Sequence, residues 1–336
     1  MHKALVHGGT DALGVPAHDF STNRNACGPC PQAVAALAEV HVAQYPDPHY
    51  TDVRAQLAAW HGVPARRVVV AGSASEFIHR ITAHAVRSGA QQVTVPTHSY
   101  GDYPHAASVW GLPLPPRASH AAAAGLHWAC EPSSPCGWAE DVAPLWAQPL
   151  TAQTWRVLDC AYAPLRLHGA PSHGLTMDEV WQLWTPNKAL GMTGVRAAYA
   201  IAPADVSDAE LATLRALAPS WVVGAHGVAM LQAWTSAAVQ NWLQQSLCTL
   251  RQWQAQQLAL CADLGWHVLP GHQANYWVAR WPDALHGAPM AQRLQDLRTQ
   301  GIKLRDCASF GLPGHVRMGV LPPASQQALR QAWRAW

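Results

Sequence analysis

Lysine is scarce in this chain. Lys3, Lys188 and Lys303 stand against 19 arginines, so a lysine kept mid-chain points to chemistry that an always-protonated arginine does not do. Lys188 lies in W-T-P-N-K-A-L-G-M-T-G-V-R, after a strand-like run and before a glycine turn and Arg196. A lysine amine whose pKa is lowered by desolvation or a nearby cation attacks carbonyls and holds them as imines, whereas a solvated loop lysine does not. The run R-V-L-D ends in Asp159, with Tyr162 three residues on. A carboxylate at the carboxyl end of a parallel strand points into the crevice where α/β proteins bind ligands. A lysine for an imine, a carboxylate that keeps a pyridine nitrogen protonated and a phenol donating to the ring oxygen are together what pyridoxal phosphate asks of a protein. Its phosphate calls for a helix amino terminus. Gly72-Ser73-Ala74-Ser75-Glu76 supplies a small-residue turn between the run R-V-V-V and a helical pattern, and it also spells an ordinary capping box.

Other features point to no separate chemistry. Nineteen histidines are scattered singly, without H-E-x-x-H or paired C-x-x-C, so no protein-ligated metal is expected. Cys27-Gly28-Pro29-Cys30 spells a redox dithiol, yet no strand precedes it closely and no thioredoxin-sized βαβ pattern surrounds it. Eight cysteines in 336 residues are too sparse for a disulfide scaffold and read as reduced thiols. Seventeen tryptophans beside three phenylalanines, among them Trp181, Trp184, Trp234, Trp242 and Trp253, are expected to fill core and interface volume. With 22 basic and 20 acidic residues, a net charge of +2, nothing suggests a nucleic-acid or anionic-membrane surface. The amino terminus lacks an apolar signal core, and no uninterrupted apolar stretch of about 18 residues occurs, so a cytoplasmic protein is expected.

The elements that must position these residues follow from periodicity. Runs rich in β-formers at Arg67–Val70, Gln92–Pro96, Arg156–Asp159, Val180–Trp184 and Val195–Ile201 alternate with helical patterns at Gln32–Val42, Asp52–His61, Glu76–Arg87 and Ala209–Leu217. That alternation predicts βαβ units and a mostly parallel sheet. Gly224 to Leu264 is helical in pattern without a proline, and after it come strand-like H-V-L, A-N-Y-W-V-A-R-W, G-I-K-L-R-D and H-V-R-M-G-V, which predict a smaller α+β domain. The Pro/Ala-rich stretch Leu112–Ala124 is expected to be a surface connection.

In this order the motifs resemble, over essentially the whole chain, a fold-type I pyridoxal-phosphate enzyme of the aminotransferase class I/II family. The branch most resembled contains histidinol-phosphate aminotransferase and L-threonine-O-3-phosphate decarboxylase. His7-Gly8-Gly9, D-F-S-T-N-R-N (19–25), Y-P-D-P (45–48) and R-D-C-A-S-F-G-L-P-G-H-V-R (305–317) are similar to the decarboxylase side. The resemblance implies an amino-terminal arm and part of the small domain over 1–48, a large cofactor-binding domain over 49–230 and a small carboxyl-terminal domain over 231–336. It also implies that Lys188 carries the cofactor, Asp159 pairs with the pyridinium and Tyr162 donates to the ring oxygen. Ser73, Ala74, Ser75, Thr185 and Arg196 would hold the phosphate, Tyr100 would stack on the ring, and Ser134 would stand beside it. Tyr45 would reach the cofactor from a partner subunit, implying a homodimer. His7, Gly8, Gly9, Asn23, Arg305 and Arg317 would surround the substrate, with Arg317 gripping its carboxylate.

Departures from the family pattern bear on the reaction. The turn Asn-Pro-x-Asn-Pro-Thr-Gly is here Glu131-Pro132-Ser133-Ser134-Pro135-Cys136-Gly137, so Ser134 replaces the asparagine that bonds the ring oxygen. Asp-Glu-Ala-Tyr has become Asp159-Cys160-Ala161-Tyr162, and Asn187 replaces the serine before the lysine. The expected enzyme acts on a phosphorylated amino acid or amine through an external aldimine. L-threonine-O-3-phosphate decarboxylation is the first expectation, transamination the second, and a degenerate cofactor-binding protein without turnover the third.

Overall fold

A computed structural model of the chain describes residues 7–116, 124–140, 146, 153–172, 176–282 and 289–335. Its centre is a six-stranded sheet built from β2 (Val68–Ala71), β3 (Val93–Thr94), β4 (Gly125–Cys130), β5 (Thr154–Asp159), β6 (Trp181–Trp184) and β7 (Ala198–Ile201) in the order β2-β7-β6-β5-β4-β3. The pairs β3–β4, β4–β5 and β5–β6 are parallel; β7 runs antiparallel to both of its neighbours. Both faces are buried, as strands of near-continuous apolar sequence require. Val68 and Val70 enter one apolar cluster while Val69 and Ala71 enter another, and β7 divides Tyr199 and Ile201 from Ala198 and Ala200 in the same way.

A strand forms at each of the runs R-V-V-V, Q-V-T-V-P, R-V-L-D, V-W-Q-L-W and V-R-A-A-Y-A-I, with β2 extending one residue past its run to Ala71 and β5 starting two residues before its run at Thr154. β4 was not foreseen: G-L-H-W-A-C carries a glycine and a histidine where strands prefer branched and aromatic residues. The buried His127 is satisfied across the sheet by the Thr94 hydroxyl at 2.7 Å. Residues 117–123 of the expected connection Leu112–Ala124 lie outside the described residues.

A four-stranded antiparallel sheet, β11 (Arg305–Asp306), β12 (His315–Gly319), β9 (Tyr276–Arg280) and β8 (His267–Val268), occupies the carboxyl-terminal part. A separate parallel pair joins β1 (His18–Asp19) to β10 (Ile302–Lys303). The expected strand G-I-K-L-R-D is therefore split: β10 pairs with the amino-terminal segment and β11 with β12, with buried Leu304 between them. The long helical pattern also divides, into Ala225–Trp234 and Ala237–Asp263, because the Ser236 side chain caps the second helix on the Val239 N–H. Buried Gln257 in that second helix donates to the Gly319 carbonyl and accepts from the Leu321 N–H, tying it to the end of β12. Among the described residues no helix is long and apolar enough to cross a membrane. Of the tryptophans expected in the core, Trp181 and Trp234 are buried and Trp184, Trp242 and Trp253 pack against it partly buried, whereas Trp60, Trp110 and Trp221 are exposed.

Candidate active site

Three strand ends converge on one cleft. β5 delivers Asp159 at its carboxyl end, β6 leads through Thr185 into the short helix Pro186–Ala189 that carries Lys188, and β2 leads into Gly72-Ser73 and the helix Ala74–Arg87. Ser73 caps that helix by accepting the Glu76 N–H at 3.0 Å, while Glu76 accepts the Gly72 N–H. The turn is an N-cap as well as a cleft wall, though Glu76 reaches back to Gly72 rather than to the cap residue Ser73 as a capping box would, and capping leaves other first-turn N–H groups as a partial positive charge toward the cleft. Ser73, Ala74, Ser75 and Tyr100 line the cleft together with Ser134, Asp159 and Tyr162. Thr185, Lys188 and Arg196 complete it.

Asp159 is buried and pulled in two directions. Enclosure pushes its pKa up, against the hydrogen bond from Tyr103, the charge of Lys188 and the Ala161 N–H. Lys188 Nζ donates to Thr185 Oγ1 at 3.4 Å and lies 5.3 Å from the Tyr162 ring centroid. The Ser75 and Tyr100 hydroxyls are 3.2 Å apart.

The cleft opens into a cavity of roughly 1120 Å³ lined by His7, Gly8, Asn23, Arg305 and Arg317. Gly8 is packed so that a Cβ would lie 2.3 Å from the Ser21 carbonyl oxygen, which reserves the position for glycine. Gly9 does not line the cavity. Its N–H donates to Ser21 Oγ and its carbonyl accepts from Lys303, so its contribution is to hold the arm. Asn23 Nδ2 lies 3.4 Å from the Tyr162 hydroxyl, joining the arm to the cleft.

Arg305 and Arg317 are cross-strand neighbours in the β11–β12 register. Arg317 donates to the Ser21 carbonyl at 2.9 Å and to Ser134 Oγ at 3.5 Å, and its Nε has no hydrogen-bond partner among the described residues. Arg305 donates to Ser309 Oγ at 2.8 Å, and both guanidiniums lie over the Phe310 ring. Burial and the neighbouring charge of Arg317 lower the Arg305 pKa. Two cations placed side by side in a cavity are a site for an anion.

Ser134 thus reaches toward Arg317, and Glu131 makes no substitute for the missing asparagine. It lines neither space and is bound by Arg166 at 2.8 Å and the Ser172 N–H at 2.7 Å. Tyr45 stands apart, 78% exposed and stacked on Trp221 with centroids 4.4 Å apart. Burial pushes the Cys27 thiol up to about 11, which argues against a reactive dithiol with Cys30. Reasoning from sequence missed Tyr103, Ser309 and Phe310. The repeat Y-G-D-Y, which puts Tyr103 one helical turn after Tyr100, was the available signal for the first.

The family model for aminotransferases of class I and II matches residues 16–335. The chain belongs to that family. Histidinol-phosphate aminotransferase of Symbiobacterium thermophilum is 28% identical over 342 residues, covering 95% of this chain and 91% of that one. The structure of histidinol-phosphate aminotransferase from Sinorhizobium meliloti in complex with pyridoxal-5'-phosphate superposes with a TM-score of 0.71 at 22% identity, covering 93% of this chain and 90% of that one. L-threonine-O-3-phosphate decarboxylase from Porphyromonas gingivalis superposes with a TM-score of 0.72 at 19% identity over 90% and 94% of the two chains. This class I and II enzyme therefore has the fold-type I architecture and uses pyridoxal phosphate. Its own residues fit that group: a buried carboxylate, a lysine in the same cleft, and hydroxyls with Arg196 beside a helix amino terminus.

Proposed function

We propose that the enzyme decarboxylates an O-phosphorylated amino acid, with O-phospho-L-threonine as the leading candidate. The observation that carries this is the docking of His7 and Gly8 into the same cavity as the Arg305–Arg317 pair. A substrate with a phosphate and a carboxylate brings the negative charge that two neighbouring guanidiniums call for. The likeness to the Porphyromonas gingivalis decarboxylase supports the reading. Bound pyridoxal phosphate supplies an electron sink for the bond broken at the substrate Cα. Lys188 would hold the cofactor, Asp159 would keep its ring nitrogen protonated, and Tyr162 would donate to its ring oxygen. Ser73, Ser75, Thr185 and Arg196 would hold its phosphate, and Tyr100 would cover the ring. Arg305 with Ser309 and Arg317 would grip the substrate's anionic groups, and the arm through Asn23 would exclude water. The exposed Tyr45 would reach the cofactor of a second subunit, making the working form a homodimer, with the cytoplasm its expected location.

A second reading is favoured by the relatives named histidinol-phosphate aminotransferase: transamination, with Lys188 moving the Cα proton. The bond that breaks is the one held perpendicular to the ring, so the placement of the carboxylate by the arginines decides between the two. Mass spectrometry of products from O-phospho-L-threonine, with and without 2-oxoglutarate, separates them. Loss of carbon dioxide without the keto acid is the expected outcome. No product from this substrate under either condition, with conversion of histidinol phosphate only when 2-oxoglutarate is present, would overturn the decarboxylase in favour of the transaminase.

A further inference from the structure

The acid at the end of β5 is held by more than its own strand. Asp159 is 4% exposed, and each carboxylate oxygen has a protein donor: the Ala161 N–H on Oδ1 at 2.8 Å and the Tyr103 hydroxyl on Oδ2 at 2.6 Å. Tyr103 is itself fully buried in the helix Asp102–Val109 and lines neither the cleft nor the cavity. Its ring lies flat against Trp128 of β4, with centroids 4.4 Å apart and planes inclined by 9°. Packing therefore sets where the hydroxyl points. A short bond from a neutral donor to a buried carboxylate fixes the plane of that carboxylate and stabilises its ionised form.

We propose that Tyr103 is a positioning residue for the cofactor: it anchors the Asp159 carboxylate in the one orientation from which it would pair with the pyridine nitrogen. The inference rests on the cofactor of the family and is independent of the choice between the two reactions. Burial raises the phenol pKa well above its ordinary value, so it stays a donor across the working range. Burial, aided by the nearby carboxylate of Asp102, raises the Asp159 pKa, and the Tyr103 bond is the foremost of the contacts that oppose it, ahead of the Lys188 charge and the Ala161 N–H.

Tyr103→Phe removes the hydroxyl and keeps the ring on Trp128. The purified protein is titrated with pyridoxal phosphate, in the wild-type background and again with Asp159→Asn, and the visible absorption of the bound cofactor is recorded. The expected result is about a tenfold weaker Kd and a displaced visible band for Tyr103→Phe in the wild-type background, the size of one hydrogen bond to a charged group. With Asp159→Asn the same change has no further effect. An unchanged Kd and band in the wild-type background, or an equal loss in both backgrounds, would overturn the proposal. A cycle that behaves as expected beside a failed phosphothreonine assay would leave Tyr103 in place and remove only the decarboxylase.

Discussion

On the proposed function, Lys188 and Arg317 would divide the chemistry at the scale of the residue. Lys188 is in contact distance of Thr185 and faces the Tyr162 ring, so Lys188→Ala should abolish the visible absorption of bound cofactor and lower turnover by about 10²–10⁴ or more, the range of a lost acid–base group. Retention of that absorption would show that another group holds the cofactor. Arg317 works through geometry. Its planar fork reaches the Ser21 carbonyl and Ser134 together, which a lysine's single ammonium does not reproduce. Arg317→Lys should therefore lower kcat/KM about 10- to 100-fold, from the loss of charge-assisted hydrogen bonds, with the Kd for pyridoxal phosphate unchanged. A parallel loss of cofactor affinity would place Arg317 in the cofactor site instead. Both residues stood out as candidates in the sequence, Lys188 through the rarity of lysine and Arg317 through the resemblance of its segment, and the structure places Lys188 in the cleft and Arg317 in the cavity. What Ser134 does was not legible, because its partner Arg317 lies 183 residues away.

On the proposed function, substrate binding would turn on the amino-terminal arm, whose His7, Gly8 and Asn23 line the cavity. Asp11 receives a two-pronged bond from Arg298, at 2.9 and 2.7 Å, and an ion pair from Lys303 at 2.8 Å, fastening the arm to the helix Met290–Thr299 and to β10. These cations hold the Asp11 carboxyl well below the usual carboxylate range. A depressed folded pKa means that the stabilisation is fully present above the unfolded value near 4 and is lost as pH falls from there toward the folded value. Asp11→Asn should raise the substrate KM about three- to fivefold at neutral pH with kcat little changed, the scale of a partly exposed ion pair. It should also remove the acid-induced increase in arm cleavage that limited proteolysis detects in the wild type below about pH 4. Equal cleavage profiles would mean that the arm is held elsewhere. At the other end of the site, Ser73→Ala should cost about 1 kcal/mol of stability through the lost cap, read as a lower Tm of the protein without cofactor.

For the whole molecule, the sheet between two apolar clusters makes a rigid floor, and the cofactor site lies where its strands end. A ligand bound only by the folded state stabilises it, so pyridoxal phosphate at a hundred times its Kd should contribute about 2.7 kcal/mol and raise Tm. An unmoved Tm would contradict the cofactor assignment. Alternation of strand and helix, the small-residue turn before Ala74, and the placement of Asp159 at a strand end were determined by the sequence alone, because they follow from periodicity and local propensity. The sheet order, the unforeseen β4 and the division of G-I-K-L-R-D between two sheets were not, because they depend on which segments pair across the chain. Tertiary structure alone put Tyr103 on Asp159, 56 residues away, Asn23 beside Tyr162, 139 residues away, and Arg305 beside Arg317. Local pattern specifies which way a strand faces; only packing decides which distant side chain it meets, and the site is made of those meetings.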